Sequence, residues 1–296
     1  MEKTNNVKGF ALAITAAIFW GVSGTLGQFL FQEKHINVEW LITMRMLISG
    51  LLLLGYTAVA EKENITNIWK DKKDVVQLLI FSITGMLAVQ YTYFAAIKHS
   101  NAATATVLQY AGPIFIAIYL AIKNKQLPKA REFLAICLAV LGTFLLVTHG
   151  NFNTLSISST ALFFGIASAV ALAVYTLQPL KLLAKYTPTL VIGWAMLCGG
   201  IAFSFIKAPW QTAGIWDATT FTYTALIILF GTLIAFTFYL QAVKIIGGQK
   251  ASLLASAEPL AAALLAVYWL QTPFQLIDWV GSLCIISTVF LLSRKK

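Results

Sequence analysis

The sequence predicts an all-α polytopic membrane protein with ten transmembrane helices, arranged as two inverted five-helix repeats. Three observations predict it. Apolar stretches of membrane length follow one another with little between them. An apolar pattern in the first half recurs in the second at one fixed offset. The basic residues fall almost entirely in alternate connections.

Hydrophobic residues make up 59% of the 296-residue chain and charged residues 11%. Soluble domains carry about 25% charged residues, so this composition belongs to a bilayer. A helix needs roughly 20 apolar residues to cross one. The expected spans are 8–31, 38–59, 75–97, 101–122, 132–149, 157–180, 188–206, 220–243, 248–270 and 274–293.

Span 1 follows Lys3 and Lys8. Its apolar run, Gly9 to Phe31, exceeds the 7–15 residues of a signal-peptide core, so it is expected to stay as a helix. Gly21, Ser23, Gly24 and Gly27 within it suit close helix packing, the favoured reading, and around Gly21 and Gly24 they could also leave room for a ligand. Span 2 carries Arg45, well inside the apolar run. The longest connection, Ala60 to Asp74, cannot hold a folded domain, so function is expected within the membrane. Span 3 ends in Tyr91, Tyr93 and Lys98; span 4 holds Gln109, Tyr110 and Pro113; span 5 follows the basic connection Lys123 to Arg131. In the second half, span 6 holds Tyr175 and Gln178, span 7 opens at Pro188, span 8 ends in Tyr239 and Lys244, span 9 contains Glu258-Pro259, and span 10 opens at Asp278-Trp279.

Setting Tyr93 over Tyr239 aligns Lys98 with Lys244, Ala105 with Ala251, Leu108 with Leu254, Pro113 with Pro259 and Glu132 with Asp278. Five is odd, so two such halves enter the membrane from opposite sides. Residues 1–150 form the first repeat and 151–296 the second. Inverted repeats are the architecture of secondary transporters, with a substrate site near the midplane where the halves meet.

Charge supports the inversion. Of 21 Lys and Arg, 17 lie at the termini or in the even-numbered connections; Lys34, Lys98 and Lys207 lie on the other side, and Arg45 is within a span. The positive-inside rule then puts both termini in the cytoplasm, in the cell (cytoplasmic) membrane. The connection after span 4 has four basic residues and its counterpart after span 9 has none. The net charge of +10 thus reports topology, and no nucleic-acid partner is expected. Lys98 and Lys244, at equivalent helix ends, read as anchors.

The chain lacks a GxxxxGK[ST] loop, an HExxH pair and a paired aspartate site for Mg²⁺. Cys137, Cys198 and Cys284 lie singly in apolar runs, and His35, His99 and His149 lie near span ends. No enzyme activity, cofactor or metal is expected.

Intramembrane charge marks the candidate site, because it costs at least ~2.5–3.5 kcal/mol at the bilayer centre. Glu258 is the first candidate, near mid-span. Pro259 after it cannot donate a helical hydrogen bond, so the carbonyl near Ala255 is expected to be free beside the carboxylate. The competing reading is a structural carboxylate paired with a hydroxyl or a lysine. Pro113 and Pro259 are equivalent kinks, either hinges for alternating access or static bends. Arg45 could bind a carboxylate; snorkelling or holding helix-end carbonyls is the favoured reading. Interface belts account for Trp40, Trp69, Trp210, Trp216, Trp269 and Trp279. They fit Trp20 and Tyr110 poorly, so these two, with Gln109 as neighbour, join Tyr93, Tyr175 and Tyr239 as candidate substrate residues.

Phe19-Trp20-Gly21, Arg45, Tyr93 to Lys98 with Ala102, Ala105 and Pro113, Glu258-Pro259 and Asp278-Trp279-Val280-Gly281 together resemble the EamA-type members of the drug/metabolite transporter superfamily, over the whole chain. The resemblance implies a central cavity lined by spans 1, 3, 4, 6, 8 and 9, with spans 5 and 10 peripheral. It implies a small organic substrate, from amino acids, amines and carboxylates to nucleosides and drugs. The family often has a glutamate in the turns after spans 4 and 9. Asn124-Lys125 and Gln271 stand there instead, so that role does not transfer. The expected function is secondary active transport of a small amphipathic metabolite (an amino acid, amine or carboxylate) by alternating access, in the direction of export, with the proton as candidate coupling ion. The alternatives are an uptake carrier or multidrug exporter of the same fold, a passive channel or lipid scramblase, and a polytopic enzyme. The expected partners are the substrate and membrane lipid, with the oligomeric state left open.

Overall fold

The structure, a computed structural model, describes residues 2–148, 150–151, 158–261, 265 and 275–293. His149, the connection at Asn153, Trp269, Gln271, the far part of span 9 and the tail 294–296 lie outside the described residues.

All described secondary structure is helical. Span 1 is Glu2–Gln32, span 2 Val38–Val59, span 3 Lys72–His99, span 5 Ala130–Thr148, span 7 Pro188–Ser204, span 8 Ala218–Ile246 and span 10 Leu276–Ser293. Span 6 is Ser159–Leu177, extended by a short helix, Leu180–Lys185.

Side-chain caps set many of the starts. Asn37, Asp71, Asn101, Ser158, Thr187 and Asp217 each accept a hydrogen bond from a backbone N–H in the first turn of the helix they precede. Helix N-termini leave such donors unpaired, and short polar side chains are the usual acceptors.

Spans 4 and 9 are interrupted. Span 4 runs Ala102–Gln109, breaks, and resumes as Gly112–Asn124. Span 9 runs Gly248–Leu254, breaks at 255–256 and resumes over 257–261. Pro113 and Pro259 each lie in the first turn of the resumed helix, where a missing N–H costs least. Spans 3 and 8 each contain a π-helical turn, Phe81–Leu87 and Leu229–Ile234. The offset that aligns Tyr93 with Tyr239 also aligns Gly85 with Gly231, one in each π turn.

The packing has an approximate twofold relation. Span 1 packs on span 8, and span 6, the repeat of span 1, packs on span 3. Span 2 crosses span 7, and span 5 packs chiefly on span 10. The last two contacts need glycine. A Cβ on Gly50 would lie 2.7 Å from the Leu197 amide nitrogen, and one on Gly142 would lie 2.7 Å from the Gly281 carbonyl. Lipid offers no hydrophobic drive between helices, so such close approach is what holds them together.

Two ion pairs fix the sense of the halves. Lys34, after span 1, meets Asp217, before span 8, at 2.6 Å. Lys185, after span 6, meets Asp74, at the start of span 3, at 2.8 Å. Parallel halves would put the connections after spans 1 and 6 on one face. Here each meets the connection that leads into the other half's third span, as inversion requires. Hydrogen bonds back both pairs: Trp40 Nε1 donates to the Pro209 carbonyl on one face and Trp194 Nε1 to the Ile65 carbonyl on the other, each at 2.7 Å.

Candidate substrate site

A cavity lies where the broken spans meet spans 1, 2, 3, 6 and 8. Span 1 contributes Trp20 and Ser23, span 2 Arg45, and span 3 Val89, Gln90, Tyr93 and Phe94. Span 4 adds Gln109 and Tyr110, span 6 Leu172 and Tyr175, span 8 Phe236, and span 9 Ser252, Ala255 and Glu258. Both halves wall it, and span 2 reaches it through Arg45 alone, which the six-span lining implied by the sequence does not include.

Glu258 is buried and its Oε1 accepts a hydrogen bond from the Tyr93 hydroxyl at 2.9 Å. The same hydroxyl pairs with Thr106 Oγ1 at 2.8 Å. Tyr93 therefore ties span 3 to both broken helices. No described lysine or arginine forms an ion pair with Glu258.

The expectation of a free carbonyl at Ala255 is corrected by the structure. The Tyr110 hydroxyl donates to it, and the Glu258 amide also reaches it at 2.9 Å. The residue four beyond Ala255 is Pro259, whose ring nitrogen has no hydrogen to give. Tyr110, at the break in span 4, thus supplies the donor missing at the break in span 9. Buried carbonyls without partners are costly, which accounts for a tyrosine at this position.

Arg45 does not snorkel. It is 1% exposed; its Nε donates to Thr232 Oγ1 at 2.8 Å and its Nη2 to the Gly231 carbonyl at 3.2 Å. Both acceptors belong to the π turn of span 8, so the expected hold on backbone carbonyls is made at a mid-helix π turn and not at a helix end. The guanidinium also sits over the Phe94 ring, 4.6 Å from its centroid.

The aromatic wall is continuous. Trp20 packs on Phe236 and Tyr239 with centroids 5.2 and 5.0 Å away, and Tyr175 stacks on Tyr239 at 5.7 Å. Tyr175 donates to the Phe236 carbonyl at 3.2 Å. Glu258, Trp20, Gln109, Tyr110, Tyr93, Tyr175 and Arg45 are thus brought around one cavity. Tyr239 stands behind it, fully buried, with its hydroxyl paired to Thr176 at 2.9 Å.

The sequence reading missed Gln90 and favoured a packing role for the stretch that holds Ser23. Both are buried polar residues inside apolar spans, which was the available signal. Among the described residues, four buried polar atoms at the cavity have no hydrogen-bond partner: Trp20 Nε1, Ser23 Oγ, Arg45 Nη1 and the Gln90 side-chain oxygen.

The comparisons with known proteins cover nearly the whole chain. The model of the EamA-like transporter family matches twice, over residues 7–148 and 159–294. The "Uncharacterized inner membrane transporter YicL" of Salmonella typhimurium is 41% identical over 97% of this chain and 95% of its own length. The "Uncharacterized transporter YyaM" of Bacillus subtilis is 22% identical over 96% of this chain and 91% of its own. A solved crystal structure, 15% identical, covers 98% of this chain and 95% of that one with a TM-score of 0.73, which speaks to the fold alone. Two family matches that account for both halves, and a 41% identical relative of equal length, make the chain a membrane transporter, not an enzyme, and a member of the EamA-like transporter family.

Proposed function

We propose that the chain is a secondary transporter of the inner (cytoplasmic) membrane, moving a small amphipathic metabolite such as an amino acid, amine or carboxylate by alternating access. The observation that carries this reading is the cavity itself. Both halves wall it, and it sets one buried carboxylate, Glu258, against aromatic faces. A metabolite with an apolar body and few polar groups matches that lining. A bare inorganic cation would find one acidic side chain there, too few for a cage of six to eight oxygens.

The two repeats, 1–150 and 151–296, are the moving halves in this proposal, and the breaks beside Pro113 and Pro259 are the hinges. Glu258 carries the coupling proton or meets a substrate amine. Both termini face the cytoplasm, on the strength of the 17 basic residues on that side against three on the other. Export is the proposed direction.

Counterflow in proteoliposomes tests the proposal. Vesicles loaded with an unlabelled amino acid, amine or carboxylate should transiently accumulate its labelled form, and uptake should saturate. Flux that rises linearly with concentration, an ionic current or lipid flipping in its place would overturn it. Net transport, but not exchange, should be lost in Glu258→Gln if Glu258 carries the proton.

A further inference from the structure

We propose that Arg45, with Ser23 and Trp20, forms a carboxylate subsite at one side of the cavity, so that the transported molecule is an acid or a zwitterion and not a simple amine. This rests on the reading that the cavity holds the substrate.

Arg45 is 1% exposed, and its Nε and Nη2 are used by Thr232 and Gly231. Among the described residues its Nη1 has no partner, and no described carboxylate forms an ion pair with it. A buried cation with a free donor is costly, and nearly every buried donor in a folded protein finds an acceptor. An anionic group in the cavity resolves both.

Two further cavity-lining residues carry neutral donors that have no partner among the described residues. Ser23 Oγ lies beside Gly231: a Cβ built on that glycine would be 2.3 Å from it. Gly231 is also the residue whose carbonyl Arg45 holds. Trp20 is one helical turn before Ser23, on the same face of span 1, and its Nε1 is likewise buried without a partner. One cation and two neutral donors suit a single negative charge. A doubly charged phosphate would need a second cation, and among the described residues Arg45 is the only basic one that lines the cavity. The fourth unpaired atom, the Gln90 oxygen, is an acceptor, so it would take an N–H of the same ligand.

The arrangement also sets the guanidinium. The π turn of span 8 offers Arg45 a hydroxyl and a carbonyl in successive residues, Thr232 and Gly231, which fixes the plane while leaving Nη1 for a ligand. Span 7, the repeat of span 2, contains no basic residue, so the subsite exists once.

The test uses the purified full-length protein and matched ligands on two bodies: phenylalanine, its methyl ester, 3-phenylpropionate and phenethylamine, then norleucine, its methyl ester, hexanoate and hexylamine. Thermal stabilisation and competition binding are the readouts. Within each body, the carboxylate-bearing members should bind roughly tenfold or more tighter than the ester or the amine, the loss expected for a charge-assisted hydrogen bond. Arg45→Gln should erase that preference. Because Arg45 also holds the π turn and its loss could unfold the protein, Trp20→Phe and Ser23→Ala are measured alongside. Each removes one donor that has no partner among the described residues, so folding should survive; Trp20→Phe also trims the aromatic wall, so carboxylate affinity should fall several-fold more than amine affinity does. Esters and amines binding as well as the acids, or an unchanged acid preference in both single variants, overturns the subsite. Failure of every ligand on both bodies overturns the substrate cavity itself, and the subsite with it.

Discussion

Removing the Tyr93 hydroxyl perturbs the site where three spans meet. Tyr93→Phe keeps the ring, which packs edge-on to Phe94 with centroids 5.7 Å apart. It deletes the donor to Glu258 at 2.9 Å and the pairing with Thr106 at 2.8 Å. A hydrogen bond to a charged group contributes about 1.5–3 kcal/mol and a neutral one about 0.5–1.5. Thr106 can turn toward Glu258 and recover part of this, so the expected loss is about 2–3 kcal/mol. At roughly 2–4 °C per kcal/mol for a chain of this size, the apparent Tm should fall by roughly 4–12 °C. The assay is a double-mutant cycle, with thermal unfolding in detergent of the wild type, Tyr93→Phe, Glu258→Gln and the double variant. Glutamine still accepts from Tyr93 but without a charge, so Tyr93→Phe should cost less in the Glu258→Gln background, with a coupling of at least about 1 kcal/mol. A shift under about 1 °C in Tyr93→Phe, or single effects that add to within about 0.5 kcal/mol, would mean that the contact is not made in the folded protein.

Three further outcomes follow from the geometry. Gly50→Ala forces a Cβ to within 2.7 Å of the span 7 backbone and should destabilise by about 1–3 kcal/mol, whereas Gly55→Ala, five residues on and with nothing within 4 Å, should be neutral or gain up to about 1 kcal/mol from helix propensity; equal effects in thermal melts would rule out the close crossing. Lys34 donates to Asp217 and holds its carboxyl down at about 2 from an ordinary 3.8; since folding lowers this value, the pair's contribution is full above pH 3.8 and is lost as pH falls through about 2, so the Tm gap between wild type and Asp217→Asn should stay constant from about pH 7 to about pH 5 and shrink only in stronger acid. In a cysteine-free background, a cysteine at Asn64 should react with a membrane-impermeant maleimide only from the cytoplasmic side and one at Ala213 only from outside; the reverse pattern would invert the proposed topology.

Much of the fold was legible because the bilayer leaves so few options. Every crossing must satisfy its own backbone, so apolar length alone marks spans such as Val38–Val59 and Ala218–Ile246. The site was legible for a related reason. A charge such as Glu258 or Arg45 is too costly in hydrocarbon to be there by default. What stayed hidden depends on direction and local winding. Spans apolar on every side do not announce which face is interior, so Gln90 drew no notice and Tyr239 could not be told from the residues that line the cavity. The π turns add no composition of their own; the spacing from Phe81 to Leu87 reads as ordinary helix. The fate of the Ala255 carbonyl was hidden too, since Tyr110 is remote in sequence and only the meeting of two broken helices brings it there.

The duplication copies mechanics and not chemistry, and packing gives the reason. Pro113 and Pro259 are equivalent, yet Glu258 has Gly112 as its counterpart. A Cβ on Gly112 would lie 3.0 Å from Leu172 Cδ2 and 3.3 Å from the Ala169 carbonyl. Span 4 packs closely on span 6 there, so a side chain would need Leu172 and the Ala169 backbone to give by a few tenths of an ångström. Packing thus disfavours a second carboxylate at that position, before any question of what it would do. Arg45 has the same asymmetry, since the span that repeats its own contains no basic residue. Alternating access needs two copies of each moving part, because each half must do in turn what the other has done. A ligand on the axis between the halves binds once and needs one set of groups. Two carboxylates facing one cavity would repel each other across a low-dielectric gap, and two guanidiniums would do the same. A transporter built by inverted duplication can thus keep its breaks, glycine crossings and ion pairs in matched sets while its ligand-facing charges occur singly.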